Sequence, residues 1–329
     1  MSQPRFDIIG IGNAIVDVVA PVGEAFLSRH DMHKGAMRLI DTETADRLYA
    51  AMPAGQESSG GSAANTCAVA AGLGARVAYL GKVADDALGQ SFHRDIASAG
   101  VHFPTAPLSG GSPTARCLIM VTPDGQRTMN TYLGACVAFG PEDVDAAVVA
   151  DAAVTYLEGY LFDPPQAQQA FRAAATAAHA AGRQVALTLS DPFCVDRHRA
   201  AFRELVEGHV DILFANEAEI CALYETNTLT EAAAWARRDV ALAALTRSEA
   251  GSIVIQGGET AEIAAVPTSV TDTTGAGDAY AAGFLAALTA GRSLAQCGRL
   301  GSIAAAEVIA HYGARPKRDL SQELAALGA

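Results

Sequence analysis

The chain has 329 residues, a formal charge of −13, half of its residues hydrophobic and only 6% of them aromatic. That charge argues against a nucleic-acid-binding surface, which demands clustered Lys and Arg, and the apolar content argues against disorder. An acidic chain can still hold a phosphate locally, through backbone amides, one or two cations and Mg2+, because repulsion is screened beyond roughly 8 Å at physiological salt.

Short apolar runs rich in β-branched residues alternate with longer helical patterns, which predicts βαβ units and an α/β fold with a largely parallel sheet. Core strands are expected at 6–11, 76–80, 153–158, 184–189, 212–215 and 241–246, with helices such as 165–181 and 217–224 covering both faces. The first apolar run, Ile8 to Ile11, is broken by Gly10 and followed by Gly12, so it is neither a signal nor a spanning helix. A soluble, cytoplasmic protein is expected. The stretches 16–20 with 36–40, and 115–121 with 128–133, read as strands without intervening helices, the latter two joined at Pro123-Asp124-Gly125-Gln126. They predict a small second sheet, so that 1–12, 41–112 and 139–329 form the core and 13–40 and 113–138 the appendage. Runs 252–256 and 260–266 flank Gly257-Gly258 as a hairpin. The six cysteines are scattered with no Cys-x-x-Cys pair, which predicts buried reduced thiols, and the histidines form no metal pattern.

Near the C-terminus, Thr271-Asp272-Thr273-Thr274-Gly275-Ala276-Gly277-Asp278 runs directly into a nearly all-apolar stretch, 279–288. Gly275 and Gly277 let the backbone turn tightly and approach a ligand, and the following helix start leaves its first amides unpaired. Those donors, with the helix dipole, favour an anion. Asp278 either caps the helix or stands beside the cradle as a proton acceptor, and the cradle favours the acceptor. Gly10-Ile11-Gly12 invites a dinucleotide-binding reading, but the third glycine position is Ile15, and no Gly-x-x-x-x-Gly-Lys-Ser/Thr segment exists. Any ATP cradle must be the late one at Gly275.

Asp17 interrupts an apolar strand, where an unpaired carboxylate is costly unless it faces solvent or a cleft. Asn216 and Glu219 lie three apart at a strand-to-helix junction, which suits either a helix cap or a site on one side of the first turn. Thr246 and Arg247 end a strand, where the arginine either meets solvent or reaches phosphates.

The Gly-Ala-Gly-Asp block, together with Gly60-Gly61-Ser62-Ala63-Ala64-Asn65-Thr66, Gly81-Lys82-Val83-Ala84-Asp85-Asp86-Ala87-Leu88-Gly89 and Asn216-Glu217-Ala218-Glu219, resembles the signatures of the ribokinase-like (PfkB) family of sugar and nucleoside kinases, in family order and over nearly the whole chain. Gly12-Asn13 with Asp17, 130–136 and 191–197 are similar to the adenosine kinase subgroup, the bacterial type in particular. The resemblance implies a three-layer fold whose small β-sheet is a lid. It implies ATP-dependent phosphoryl transfer to a nucleoside or sugar hydroxyl, to the 5′-hydroxyl of adenosine within that subgroup. Asp278 would be the general base and Gly275, Ala276 and Gly277 the anion hole. Asn13, Asp17, Gly60, Gly61 and Asn65 would bind the substrate, and Asn216, Thr246 and Arg247 the phosphates. Glu219 would organise Mg2+ through water, and Asp272 with the Thr274 carbonyl a monovalent cation such as K+, unless these two merely brace the turn. Met37, Leu39 and Leu133 would wall the base or simply pack. No membrane partner is implied, and a monomer or homodimer is expected. A non-catalytic nucleotide- or sugar-binding protein is the competing class.

Overall fold

The computed structural model describes residues 3–327. Nine strands form one sheet, in spatial order Glu259–Ile263, Ser252–Gln256, Leu242–Thr246, Ile212–Asn216, Gln184–Thr188, Ala152–Glu158, Phe6–Ile11, Val77–Leu80 and Val101–His102. Pairing is parallel from Leu242–Thr246 to Val101–His102, and the outer hairpin is antiparallel. The six expected core strands and the hairpin are all present, the hairpin's second strand ending at Ile263 rather than 266.

Strand periodicity of two sorts the side chains onto two covered faces. Ile8, Val77, Tyr79, Tyr156, Ile212 and Phe214 share one buried cluster with helices Ser62–Gly72, Ala276–Thr289 and Leu294–Ile309. Ile9, Ile11, Leu157, Leu187, Leu213 and Leu245 meet Pro165–Ala180 and Pro192–His209 on the other side. Alanine serves this packing directly. Ala276–Thr289 is buried without a break from Ala279 to Ala287, and a Cβ at Gly283 would lie 2.6 Å from the Leu300 carbonyl oxygen.

The smaller sheet orders Met37–Leu39, Arg127–Tyr132, Ala115–Val121, Ile15–Pro21 and Gln56–Gly60. Val16, Val18, Leu118 and Met120 point to one buried side, where Leu27 and Leu48 cover them from helices Glu24–Arg29 and Thr42–Ala51. Helix Glu24–Arg29 corrects the expectation that no helix separates the first two lid strands. It spans six residues and buries only Leu27, so it has no periodicity to read. Gln56–Gly60 also joins this sheet, antiparallel to Ile15–Val19, although it lies within the 41–112 stretch grouped with the core. Its polar sequence carries no strand signal, and backbone pairing alone recruits it. The sheet's other side carries Asp17 and Cys117, with Met37 and Leu39 on the edge strand 58% and 60% exposed.

Consecutive strands depart in opposite directions from Phe6–Ile11, to Val77–Leu80 on one side and Ala152–Glu158 on the other. Such a switch point opens a crevice at the strands' carboxyl ends, where Asn13, Glu158, Asn216 and Thr246 all lie.

Candidate active site

Gly275 is the N-cap of Ala276–Thr289 and adopts a left-handed backbone, φ 78°. A Cβ there would come within 2.7 Å of the Ala314 Cβ, so both conformation and space require glycine. Gly277, in the first turn, is exposed and has open space where a side chain would stand. The helix start is therefore open on the Gly277 side, as an approach to an anion cradle requires, while the Ala276 N–H is bonded to the Thr273 carbonyl oxygen at 3.2 Å.

The Ser62 hydroxyl donates a hydrogen bond of 2.6 Å to Asp278 Oδ1. Burial pushes the Asp278 carboxyl up to about 6, bonds from Ser62 and Asn65 pull it back, and the charge of Asp17 raises it again. A carboxylate poised near 6 is ionised at neutral pH yet basic enough to take a proton. Ser62 and Asn65 come from the first turn of Ser62–Gly72, whose N-cap Gly61 has φ 97°. A Cβ on Gly61 would sit 2.0 Å from the Asn13 carbonyl oxygen, so this glycine lets the second helix start close against the first strand's end. Two helix N-termini thus converge on Asp278, and their positive ends favour negative charge there.

Asn13 is 4% exposed and is held by a residue the sequence reading did not single out, Glu158. Glu158 Oε1 accepts from Asn13 Nδ2 at 2.8 Å and from its backbone N–H at 3.3 Å, while Oε2 accepts from the Ala63 N–H at 2.7 Å. Burial pushes its carboxyl up to about 7 against those donors. A Cβ on Gly12 would lie 2.2 Å from Oε2, so the Gly10-Ile11-Gly12 glycines serve close packing here rather than a dinucleotide. The signal for Glu158 was available, as a lone carboxylate at the carboxyl end of an apolar strand.

Asp17 is half-buried on the lid face turned from the lid's own core, opposite Ser58 in register. Burial raises its carboxyl to about 6 despite the attraction of Arg315 and Arg127. Gly60 leaves it room, since a Cβ there would meet Asp17 Oδ2 at 2.4 Å. Arg315 is a second residue the sequence reading did not single out, and it carries no sequence signal. Its Nε donates to Asn65 Oδ1 at 3.3 Å, Nη1 to Asp95 at 3.1 Å and Nη2 to the Ser59 hydroxyl at 2.8 Å, tying the C-terminal segment to strand Gln56–Gly60 of the smaller sheet.

Asn216 and Glu219 form a reciprocal cap: Asn216 Oδ1 accepts from the Glu219 N–H at 2.9 Å, and Glu219 accepts from the Asn216 N–H at 2.9 Å and Nδ2 at 2.6 Å. Glu219 is nevertheless 6% exposed, and burial, then the charges of Asp191 and Asp278, raise it to about 7. Carboxylates that repel one another across a crevice suit a hydrated Mg2+, which keeps several waters. Among the described residues no group of three or more His, Cys, Asp or Glu stands close enough to form an all-protein metal cage.

Thr246 ends its strand half-buried beside Asn216 in register. Arg247 is turned onto its own loop, donating to the Ala250 carbonyl at 3.1 Å and lying 3.8 Å from Glu262. Asp272 and Thr274 are brought together, but the Asp272 carboxylate is paired with Arg127 from the lid. Of the six free cysteines, five are buried. No described helix is long and apolar enough to cross a membrane.

The sequence matches the model of the pfkB family carbohydrate kinases over residues 35–319. The structure is similar to that of adenosine kinase from Sinorhizobium meliloti, with 54% identity, a TM-score of 0.89 and coverage of 99% of this chain and 100% of that one. It is equally close in shape, TM-score 0.89, to a probable sugar kinase protein from Rhizobium etli CFN 42, at 50% identity over 98% and 99% of the two chains. Among characterised sequences it is similar to the ATP-dependent ribose-1-phosphate kinase of Halopiger xanaduensis, 32% identical over 238 residues, 70% of this chain and 73% of the other.

Proposed function

Because the chain belongs to the pfkB family of carbohydrate kinases and is an ATP-dependent kinase of ribokinase-like fold, we propose that it phosphorylates the 5′-hydroxyl of adenosine, giving AMP and ADP. The chemistry rests on one observation, the Asp278 carboxylate set beside an open, glycine-built helix start. The choice of adenosine rests on the likeness to the Sinorhizobium meliloti enzyme, with the exposed Met37 and Leu39 on the lid edge offering apolar surface to a flat base.

In this mechanism Asn13 and Asp17 hold the ribose, with Gly60, Gly61 and Asn65 shaping the floor beneath it. Asp278 accepts the proton of the substrate hydroxyl as that oxygen bonds to the γ-phosphorus and the bond from phosphorus to the ADP oxygen breaks. Amides of Gly275, Ala276 and Gly277 stabilise the phosphoryl oxygens, the Ala276 N–H leaving the Thr273 carbonyl to do so, and positioning and electrostatics carry most of the rate. Mg2+, held through water by Glu219, would supply charge neutralisation on the phosphates, near which Asn216 and Thr246 lie. Arg247 would have to leave its loop to reach them. A lid over this crevice excludes water and so suppresses idle ATP hydrolysis.

The likeness to a sugar kinase and to a ribose-1-phosphate kinase supports a second reading, another nucleoside or a sugar as acceptor. ADP release, measured over a panel of nucleosides and sugars with ATP and Mg2+, separates the two. Adenosine should give the highest kcat/KM, with AMP identified chromatographically. If adenosine is inert while a free sugar turns over, the adenosine assignment is wrong and the phosphoryl-transfer chemistry stands.

A further inference from the structure

Asp272 and Thr274 resemble part of a monovalent-cation loop, yet the carboxylate of Asp272 has no lone pair to spare for a metal. Oδ1 accepts from the Thr274 N–H at 3.0 Å and the Thr274 hydroxyl at 2.6 Å. Oδ2 accepts from the Gly313 N–H at 3.3 Å and from Arg127 Nη1. A carboxylate offers about four acceptor positions, and all of them here face proton donors. K+ binds oxygen lone pairs, so the Asp272 carboxylate does not fit it.

The positive charge of this loop comes instead from a side chain. Arg127 and Asp272 have side chains only 12% and 10% exposed, and they join the first residue of a lid strand to the loop that opens the anion cradle. The same lid turn lies against the C-terminal segment, where a Cβ on Gly125 would meet the Tyr312 hydroxyl at 1.8 Å. Gly313 follows and binds Asp272, and Ala314 then packs on Gly275. The path from lid to cradle is therefore continuous: Arg127, Asp272, Thr274 and Gly275 on one side, Tyr312 to Ala314 on the other.

We propose that Arg127 is the built-in cation of the cradle loop, a positioning residue that fixes the 272–275 turn from the lid and makes this kinase independent of monovalent cations. Its effect on turnover rests on the kinase reading above, whereas its effect on stability does not. Removing the guanidinium leaves a nearly buried carboxylate uncompensated, which is costly to the fold, and opens a space that a small cation can enter.

The test compares the wild type, Arg127→Ala and Arg127→Lys in KCl and in tetramethylammonium chloride at equal ionic strength, by thermal melting and by ADP release. Wild-type melting temperature and kcat should be the same in both salts. Arg127→Ala should melt several degrees lower in tetramethylammonium and lose roughly tenfold or more in kcat through a misplaced cradle. K+, or guanidinium at low millimolar concentration, should restore part of both, and Arg127→Lys should lie between. The proposal fails if K+ stabilises or activates the wild type, if Arg127→Ala behaves like wild type in tetramethylammonium, or if its losses respond to no cation. Should no acceptor be phosphorylated by the wild type, the kinase reading fails while the melting data still decide the role of Arg127.

Discussion

Replacing Ser62 with alanine should move the acid limb of the pH profile and leave the alkaline plateau in place. Asp278 must be ionised to take a proton, so activity is lost as pH falls through its pKa of about 6. The Ser62 hydroxyl, 2.6 Å from Oδ1, donates to the charged form and holds that value down. A hydrogen bond to a charged group nets about 1.5–3 kcal/mol, and water entering this part-buried site recovers part of it. A remaining loss of about 1.4 kcal/mol corresponds to about one pH unit, which carries the limb to about 7. At pH 6 the ionised fraction then drops from about a half to about a tenth, a fivefold fall in kcat/KM, and at pH 8.5 the change is negligible. Coupled ADP release across pH 5 to 9 reads this directly, with Ser62→Thr as the control that keeps the hydroxyl. Asp17, Glu158 and Glu219 titrate in the same range in both proteins, so only the difference between variants is diagnostic. An unmoved limb, or a loss of equal size at every pH, would refute the assignment of Asp278 as the titrating base.

Asp278→Asn should lower kcat by about 100-fold or more while ATP still binds, as equilibrium titration would show, because general-base help is of that size; near-native turnover would remove Asp278 from its role. Asp17→Ala should raise KM for the nucleoside by about tenfold, the worth of about one hydrogen bond to a charged group, with a smaller change in kcat. Glu158→Ala should cost about 3 kcal/mol in urea denaturation by stranding two N–H groups of Asn13 and one of Ala63; a loss below about 1 kcal/mol would mean water replaces the carboxylate. The raised pKa values of Asp17, Glu158, Glu219 and Asp278 mean the folded state holds protons that the unfolded state releases. Stability from these groups is therefore complete below the unfolded values near 4 and is lost as pH rises through 6 and 7. The melting temperature of the ligand-free protein should fall over that window and recover with Mg2+, and a rise with pH instead would show that these carboxylates are stabilised as charges.

The residue pattern was enough to announce the parallel sheet, because strands buried on both faces read as near-continuous apolar runs, and 8–11, 185–187 and 212–215 do. The glycine-built helix start was legible for a related reason. Gly275 and Gly277 before an apolar helix leave few other uses for the backbone, and the left-handed turn at Gly275 and the open space at Gly277 are local consequences of that spelling. Helix Glu24–Arg29 and strand Gln56–Gly60 were illegible because each owes its form to what covers or pairs with it rather than to a period of its own. The partners of the charged groups were equally hidden. Glu158 meets Asn13, Arg127 meets Asp272 and Arg315 meets Asn65 across separations of 145, 145 and 250 residues. Sequence alone determined the order of strands and helices and the glycine-built helix start, since these depend on residue type and short-range geometry. Only the tertiary structure decided which charge neutralises which, because burial removes water as the alternative partner and leaves the choice to whatever the fold places within hydrogen-bond reach.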